Sequence, residues 1–368
     1  MRSTYCGKGR TRQDKYQIFI KSDEGCTQTI CFCLSVPFLI GIDKHLSFLK
    51  HMTDKIRDIL NIRYIKLHFE LELLSDSKLP VYKPFALRGG MGYMLMDKYC
   101  MADRDCKNCD FQSECVMRRI LYAGFDVQPY FIRDGGSCGY VIECEDYRTD
   151  YFAGDELHFQ ILLFGKTIAY FHQILEAFID LGKKGLGPNK ALFAVRNVTN
   201  SRRQAVFKEG AVFRERYEIS TIEDYVNYRS CKQTGRRAVF HTPTVFMIKK
   251  KLVTEFEPLI IFRSIVRRLY ILNYFEGNYI DTMSLGSKGA ENFIDLPTAS
   301  GQNAWIQKNE RYSTNKKERY PMRGIKGYLD FSELTEDQCA LLLAGELIHI
   351  GKETSFGYGK YTLVENNA

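Results

Sequence analysis

The sequence has no apolar run long enough to span a membrane. Its longest, Thr29 to Ile42, is about 14 residues, against the ~20 that a membrane helix needs. That run also begins too far from Met1 to read as a secretory leader. A Walker A loop is missing: Gly345 and Gly351 enclose five residues rather than four, and Glu353 stands where the magnesium-binding hydroxyl belongs. The dinucleotide fingerprint is missing as well, because Gly357 and Gly359 have no third glycine behind them. Charge of one sign does not dominate. Fifty-two basic residues against 44 acidic ones leave a net +8, which permits a polyanionic partner without demanding one.

Tryptophan occurs once, against 23 tyrosines and 25 phenylalanines. Most of those rings belong to cores, but rings also stack on unpaired bases. With hydrophobic residues at 45% and charged ones at 26%, the 368 residues suffice for two or three soluble domains. The twelve cysteines then sit in a reducing cytoplasm, where a cluster means metal or redox chemistry sooner than disulfides.

Periodicity gives an α+β chain. Residues 1–22 form a basic arm, and Leu46, Leu49, Met52 and Ile56 share a helical stripe flanked by His45 and His51. Lys66–Leu73 alternates as a half-buried strand: Leu67, Phe69, Leu71 and Leu73 oppose His68, Glu70 and Glu72. A glycine-rich turn then opens a helix. A second alternating strand sets Leu157, Phe159 and Ile161 against His158 and Gln160, and an amphipathic helix follows with Gly182 as its expected C-cap. The periodicity breaks at residues 229–241, marking a boundary. Beyond it, residues 244–252 read as a strand, 262–275 as a helix, 327–331 as a strand, 335–348 as a helix with a Thr335/Gln338 capping box, and 359–364 as a last strand.

Cys100, Cys106, Cys109 and Cys115 form C-x5-C-x2-C-x5-C amid polar residues. Four thiolates close a tetrahedral site with no open position, so a structural zinc is expected and an iron–sulfur cluster is the alternative. Cys26, Cys31 and Cys33 lack a nearby fourth partner and read as buried.

The stretch His349–Lys360 packs three glycines, two lysines and two aromatic rings into twelve residues. Composition alone leaves a hairpin turn and an RNA-gripping loop open, the latter through bare amides of Gly351, Gly357 and Gly359, cations of Lys352 and Lys360, and rings of Phe356 and Tyr358. Lys308–Lys326 alternates basic residues with Tyr312 and Tyr320. Arg311, Lys316 and Lys317 are its candidate RNA contacts, with a solvated loop as the bland alternative. The turn at Lys183 and Lys184 is a weaker candidate.

The segment "LLLAGELIHIGKETSFGYGKYTL" resembles the C-terminal signature of CRISPR-associated RAMP proteins, and most closely the repeat-RNA processing endoribonucleases of the sixth Cas family. "LPVYKPFALRGGMGY", "GDELHFQILLFGKTIAYFHQILEAFIDLGKKGLG", "FHTPTVFMIKKKL" and "NERYSTNKKERYPMRGIKGYLDF" fall in that family's order, from about residue 65 onward. The resemblance implies tandem ferredoxin-like (RRM-like) domains: an extension over 1–60, a first domain over 61–240 with a cysteine insertion at 100–115, and a second over 241–368. It implies cleavage of CRISPR repeat RNA by attack of the ribose 2′-hydroxyl, with no catalytic metal, and other CRISPR effector or adaptation proteins as further partners. The alternative is a catalytically silent RAMP subunit that binds repeat or guide RNA; a zinc-dependent nuclease is a third possibility. Such chemistry needs a base, an acid and cations. His349 and Lys352 are the first candidates. Tyr93 stands where relatives often carry a histidine, after Arg88-Gly89-Gly90. Arg88 joins the RNA contacts.

Overall fold

The computed structural model describes residues 52–365, apart from 107, 123, 130–138, 231–234, 280–293 and 314–317. His45, His51, Cys26, Cys31, Cys33, Lys316, Lys317 and most of the 1–60 extension lie outside the described residues. The described part of the extension is a short helix, α1 (Asp54–Leu60). It docks on the second domain: Thr53 Oγ1 donates to Asp337 Oδ2 at 2.8 Å, and Asn273 Nδ2 donates to the Ile59 carbonyl at 3.0 Å.

The alternating strand is β1 (Arg63–Leu73). It buries Ile65, Leu67, Phe69, Leu71 and Leu73 and turns His68, Glu70 and Glu72 to the other face. The elements that follow are the two-residue strand β2 (Ser77–Lys78), α2 (Pro84–Tyr99), α3 (Val116–Leu121), β3 (Tyr140–Glu143), the short β4 (Asp150–Tyr151) that pairs with β2, β5 (Glu156–Phe164), α4 (Phe171–Lys184) and β6 (Phe193–Thr199). The sheet runs β3-β5-β1-β6. Numbering those four strands in chain order gives 2-3-1-4, and with helices between the first and second and between the third and fourth this is the ferredoxin-like βαββαβ unit. Its core is nucleated by aromatics. Phe69 faces Phe159 across the β1/β5 ladder with ring centroids 4.8 Å apart, and Phe178 of α4 packs on both at 5.3 and 5.0 Å. Strands β7 (Ala205–Lys208), β8 (Ala211–Val212) and β9 (Ser220–Thr221) extend the sheet, and α5 (Ile222–Ser230) ends the domain.

The second domain repeats the order: β10 (Arg237–Thr244), the short pair β11 (Met247–Ile248) and β12 (Lys251–Leu252), α6 (Pro258–Glu276), β13 (Ala299–Ser313), β14 (Glu318–Phe331), α7 (Glu336–Ile348) and β15 (Tyr361–Val364). Its sheet runs β13-β14-β10-β15, again 2-3-1-4. The fold is α+β with two tandem ferredoxin-like sheets, as expected, and the described residues form one compact unit. The Thr335/Gln338 capping box opens α7. Among the described residues no helix is long and apolar enough to cross a membrane.

Four expectations change. The glycine-rich stretch is not a turn that opens a helix: Gly89, Gly90 and Gly92 lie inside α2, which starts at Pro84. Gly182 does not cap α4, which runs on to Lys184 and ends at Gly185; a Cβ on Gly182 would sit 2.2 Å from the Phe193 carbonyl, so this glycine admits β6 to the helix. Residues 244–252 are not one strand, because Lys249 and Lys250 take positive φ and fold them into the β11/β12 hairpin. The boundary drawn at 240/241 cuts through β10. Pro243 sits within the ladder's irregularity between Phe240 and Thr244, where no regular pairing is needed.

Candidate active site

The glycine-rich turn between α7 and β15 wedges between the domains. Gly357 and Gly359 adopt φ of 76° and 78°, and a Cβ on either would meet a carbonyl oxygen, that of Ile142 at 2.5 Å or of Ile350 at 1.9 Å. Glycine is needed here for left-handed backbone and close approach. The amides of this turn are not bare. Gly351 N donates to Ser264 Oγ, Lys352 N to the Val245 carbonyl, Gly357 N to that of Thr354, Gly359 N to that of Pro243 and Lys360 N to Thr242 Oγ1. Phe356 and Tyr358 are buried with Tyr82, Phe85 and Val245 in a small core where the two domains meet. The expected RNA-gripping loop is therefore built as a structural wedge, and Lys352 keeps an exposed side chain at its edge.

His349 lies beneath this wedge. It is fully buried at the C-cap of α7, where its φ is 58°. Nδ1 lies 3.1 Å from the Tyr358 carbonyl and Nε2 lies 2.7 Å from Glu143 Oε1 at the end of β3. Both neighbours are acceptors, so each faces a ring nitrogen that can donate to it. Glu143 also meets Lys360 Nζ at 3.1 Å and Lys66 Nζ at 3.8 Å. Burial alone would raise its pKa; His349, Lys66 and Lys360 overcome that and hold it well below the carboxylate range. Lys360 is further committed to Glu145 at 2.6 Å. As placed, His349 and Lys360 tie the domains together, and neither presents a free group to solvent.

Cations gather on the outer side of the wedge. The Arg88 guanidinium of α2 lies 5.1 Å from the Phe356 ring centroid, and that of Arg311, from β13, lies 4.5 Å from the same ring. Burial lowers the pKa of Arg311 and the charge of Arg88 lowers it further, so two like charges share one ring and an anion bound between them would relieve the repulsion. β13 and β14 form a long hairpin rather than a solvated loop. Its register sets Arg311 opposite Tyr320, Tyr312 opposite Arg319 and Trp305 opposite Lys326.

Tyr93 lies on α2 in the middle of a second group. The Arg104 guanidinium lies 4.4 Å from its ring centroid and Lys184 Nζ lies 4.6 Å away, 3.3 Å from the phenol oxygen. Hydrogen bonding from Arg104, then from Lys184, lowers the Tyr93 pKa.

A cleft of about 760 Å³ opens between the domains, lined among others by Glu145, Tyr147, His241, Trp305, Lys326 and Lys360. His241 projects outward from β10, with Nε2 2.7 Å from Thr362 Oγ1. Burial first, then Lys360, lowers its pKa. The sequence reading gave His241 no role. The signal it could have used was the alternation through Ala238, Phe240 and His241, which turns the imidazole away from the core. Of the other histidines, His158 is exposed beside Glu156, and His172 sits beside Tyr217.

The four cysteines Cys100, Cys106, Cys109 and Cys115 share the loop between α2 and α3. The Arg104 amide donates to Cys100 Sγ at 3.2 Å. Burial raises the Cys106 pKa and the other three sulfurs add to it, so the four are neighbours. Among the described residues, however, no three His, Cys, Asp or Glu side chains are drawn tightly enough together to hold a metal ion.

Comparison with known proteins follows the domain division. Residues 61–221 match a family model described as an N-terminal domain, and residues 239–361 match the CRISPR-associated endoribonuclease Cas6 model. A sequence comparison with curated proteins finds no match. Among solved structures, a partial Cas6-RT-Cas1–Cas2 complex matches at 11% identity and a TM-score of 0.51, covering 84% of this chain and 47% of that one. A Cas6-RT-Cas1–Cas2 complex gives the same identity, score and coverage of this chain, with 30% of its own. The chain thus spans less than half the length of these two. A Cas6 product complex matches at 14% identity and a TM-score of 0.48, covering 82% of this chain and 99% of that one. The second ferredoxin-like domain, residues 239–361, is thus similar to the Cas6 family of CRISPR-associated endoribonucleases.

Proposed function

We propose that the protein is an endoribonuclease that cuts the repeat of precursor CRISPR RNA. In this reading the ribose 2′-hydroxyl attacks the adjacent phosphate without a catalytic metal, leaving 2′,3′-cyclic phosphate and 5′-hydroxyl ends. The carrying observation is the meeting of Arg88 and Arg311 at Phe356, one cation from each domain, with Tyr93 on the same helix as Arg88. Two guanidiniums suit a phosphate that gains charge in the transition state. Tyr93 is the proton-transfer group. The β13/β14 hairpin and the cleft at His241 supply cations and rings for the flanking strand. The work is cytoplasmic.

The burial of His349 favours a second reading, an RNA-binding subunit that does not cut. Incubation of the purified chain with its cognate repeat RNA in EDTA separates the two. A single cut with a cyclic-phosphate end supports cleavage, and tight binding with intact RNA supports the subunit. Repeat RNA, in precursor and mature guide form, is the proposed partner. The Cas6-RT-Cas1–Cas2 matches suggest other CRISPR proteins, adaptation proteins among them, as further ones. For the cysteine quartet a structural zinc is the proposal, on the chemistry of four thiolates in one loop. As the loop stands its sulfurs are not closed on one point, so zinc uptake requires the loop to draw in, and no step of the cleavage is routed through the metal.

A further inference from the structure

Beyond its sheet, the β13/β14 hairpin runs on alone. β10 pairs with β14 no further out than Ile325, whereas the β13/β14 ladder continues to Ser313 and Glu318. The outer stretch is a two-stranded ribbon, and two strands by themselves are marginal in water. β13 is also the edge of its sheet, and among the described residues no other strand pairs with its outer side. The backbone groups on that side are a template for one more strand. Side chains along the edge alternate. Asn309 and Arg311 face the wedge: Asn309 Nδ2 donates to the Tyr358 hydroxyl at 3.0 Å, and Arg311 rests on Phe356. Ile306, Lys308, Glu310 and Tyr312 take the other face, where Ile306 and Tyr312 are 46% and 49% exposed. Lys308 lies across from a like charge, Arg323 of β14, and among the described residues no carboxylate pairs with it. Glu310 meets Arg319 at 3.1 Å, with both side chains open to solvent.

We propose that this edge pairs with the same edge of a second copy of the chain, antiparallel, with Asn309 on the two-fold axis. In that register Lys308 lies beside the partner's Glu310 and Glu310 beside the partner's Lys308. Ile306 lies beside the partner's Tyr312 and Tyr312 beside the partner's Ile306. Each exposed side chain of that face gains a complement. A two-fold contact has to be self-complementary, and a lysine and a glutamate placed either side of one residue meet that condition. Moving the axis to Lys308 or Glu310 sets like charges on each other. Moving it to Gln307 or Arg311 sets a charge against Ile306 or Tyr312. The two charges thus exclude the neighbouring registers as well as selecting this one. On the wedge face Arg311 lies beside the partner's Gln307, so the arginines are not opposed. Two marginal ribbons become one four-stranded sheet, β14-β13 of one chain followed by β13-β14 of the other. The contact is small, so the association is weak. It does not depend on whether the chain cuts RNA.

The test is sedimentation equilibrium over a micromolar concentration series, without RNA and at low ionic strength, where exposed charges are least screened. The samples are wild type, Lys308→Glu, Glu310→Lys, the double exchange of both, and an equimolar mixture of the two single variants, with thermal melting measured on each. Wild type shows a monomer–dimer equilibrium. Each single variant puts like charges at both crossings and weakens association about tenfold, two cross-strand pairs changing sign at once. The double exchange restores opposite charges and dimerises as wild type does. The mixture recovers as well, because a Lys308→Glu chain beside a Glu310→Lys chain again has opposite charges at both crossings. Wild type that stays monomeric throughout overturns the proposal. So do single variants that dimerise as well as wild type, and a mixture that associates no better than its components. Assemblies that grow past two also overturn it, because a two-fold edge closes on itself.

Discussion

Nε2 of His349 lies 2.7 Å from a carboxylate oxygen of Glu143, two residues 206 positions apart in the chain and in different ferredoxin-like domains. The contact is buried on both sides, with relative side-chain exposures of 0% and 7%. Removing His349 leaves Glu143 with Lys360 and Lys66 but deletes a buried hydrogen bond, at a cost of ~1–3 kcal/mol. His349→Ala is therefore expected to lower unfolding free energy by about that much, measured by urea titration. Lys352→Ala, at an exposed position, is expected to leave it within ~0.5 kcal/mol.

The same pair makes stability depend on acid. The Glu143 carboxyl has its pKa depressed in the folded state. Its contribution is thus fully present above the unfolded carboxylate value of ~4.3 and is lost as pH falls below it toward the folded value. Urea midpoints measured from pH 6 down to pH 3 should decline more steeply for wild type than for Glu143→Gln. Parallel declines would show that this carboxyl carries no such linkage.

Glycines of this chain divide by what surrounds them. Gly357→Ala and Gly359→Ala place a methyl against a carbonyl in left-handed backbone and should each lower the melting temperature sharply. Gly89 lies inside α2 with nothing within 4 Å of a built Cβ. Gly89→Ala should stabilise by about 0.5–1 kcal/mol, as an exposed helix position does.

The strand pattern was legible because it is local, and the tandem fold through the family resemblance. Period-two alternation gave β1 and β5 residue by residue, and a four-residue signal gave the α7 cap. The site was less legible. The glycines of the His349–Lys360 segment look the same in sequence whether they admit a ligand or a neighbouring carbonyl, and here they admit Ile142 and Ile350. His349 looked available because Glu143, which consumes it, is far away in the chain. Arg88 and Tyr93 were found through the family resemblance, in a glycine-rich segment that is the interior of α2, whereas Arg104 was hidden in a segment that reads only as a cysteine cluster. The hairpin of β13 and β14 was seen as basic and aromatic but not as paired strands, since its outer part lacks the apolar alternation that marks a half-buried strand.

Arg311 is expected to contact phosphate. Arg311→Ala should weaken repeat-RNA binding and reduce the slope of log affinity against log salt by about 0.7, the value for one phosphate contact on a single strand. An unchanged slope would place RNA away from Phe356.

The cysteine loop makes a separable prediction. Purified under reducing conditions, the chain should carry about one zinc per molecule by elemental analysis, the stoichiometry of a closed four-thiolate site. Cys106→Ser with Cys109→Ser should carry none, and chelation should lower the melting temperature.

The central claim is that the RNA supplies its own nucleophile. Its most direct test is a repeat RNA carrying a single 2′-deoxy sugar immediately 5′ of the mapped cut. The account predicts that the protein binds this RNA as tightly as the unmodified repeat and leaves it whole at that bond. Cleavage of the deoxy-substituted bond at the normal rate would contradict it.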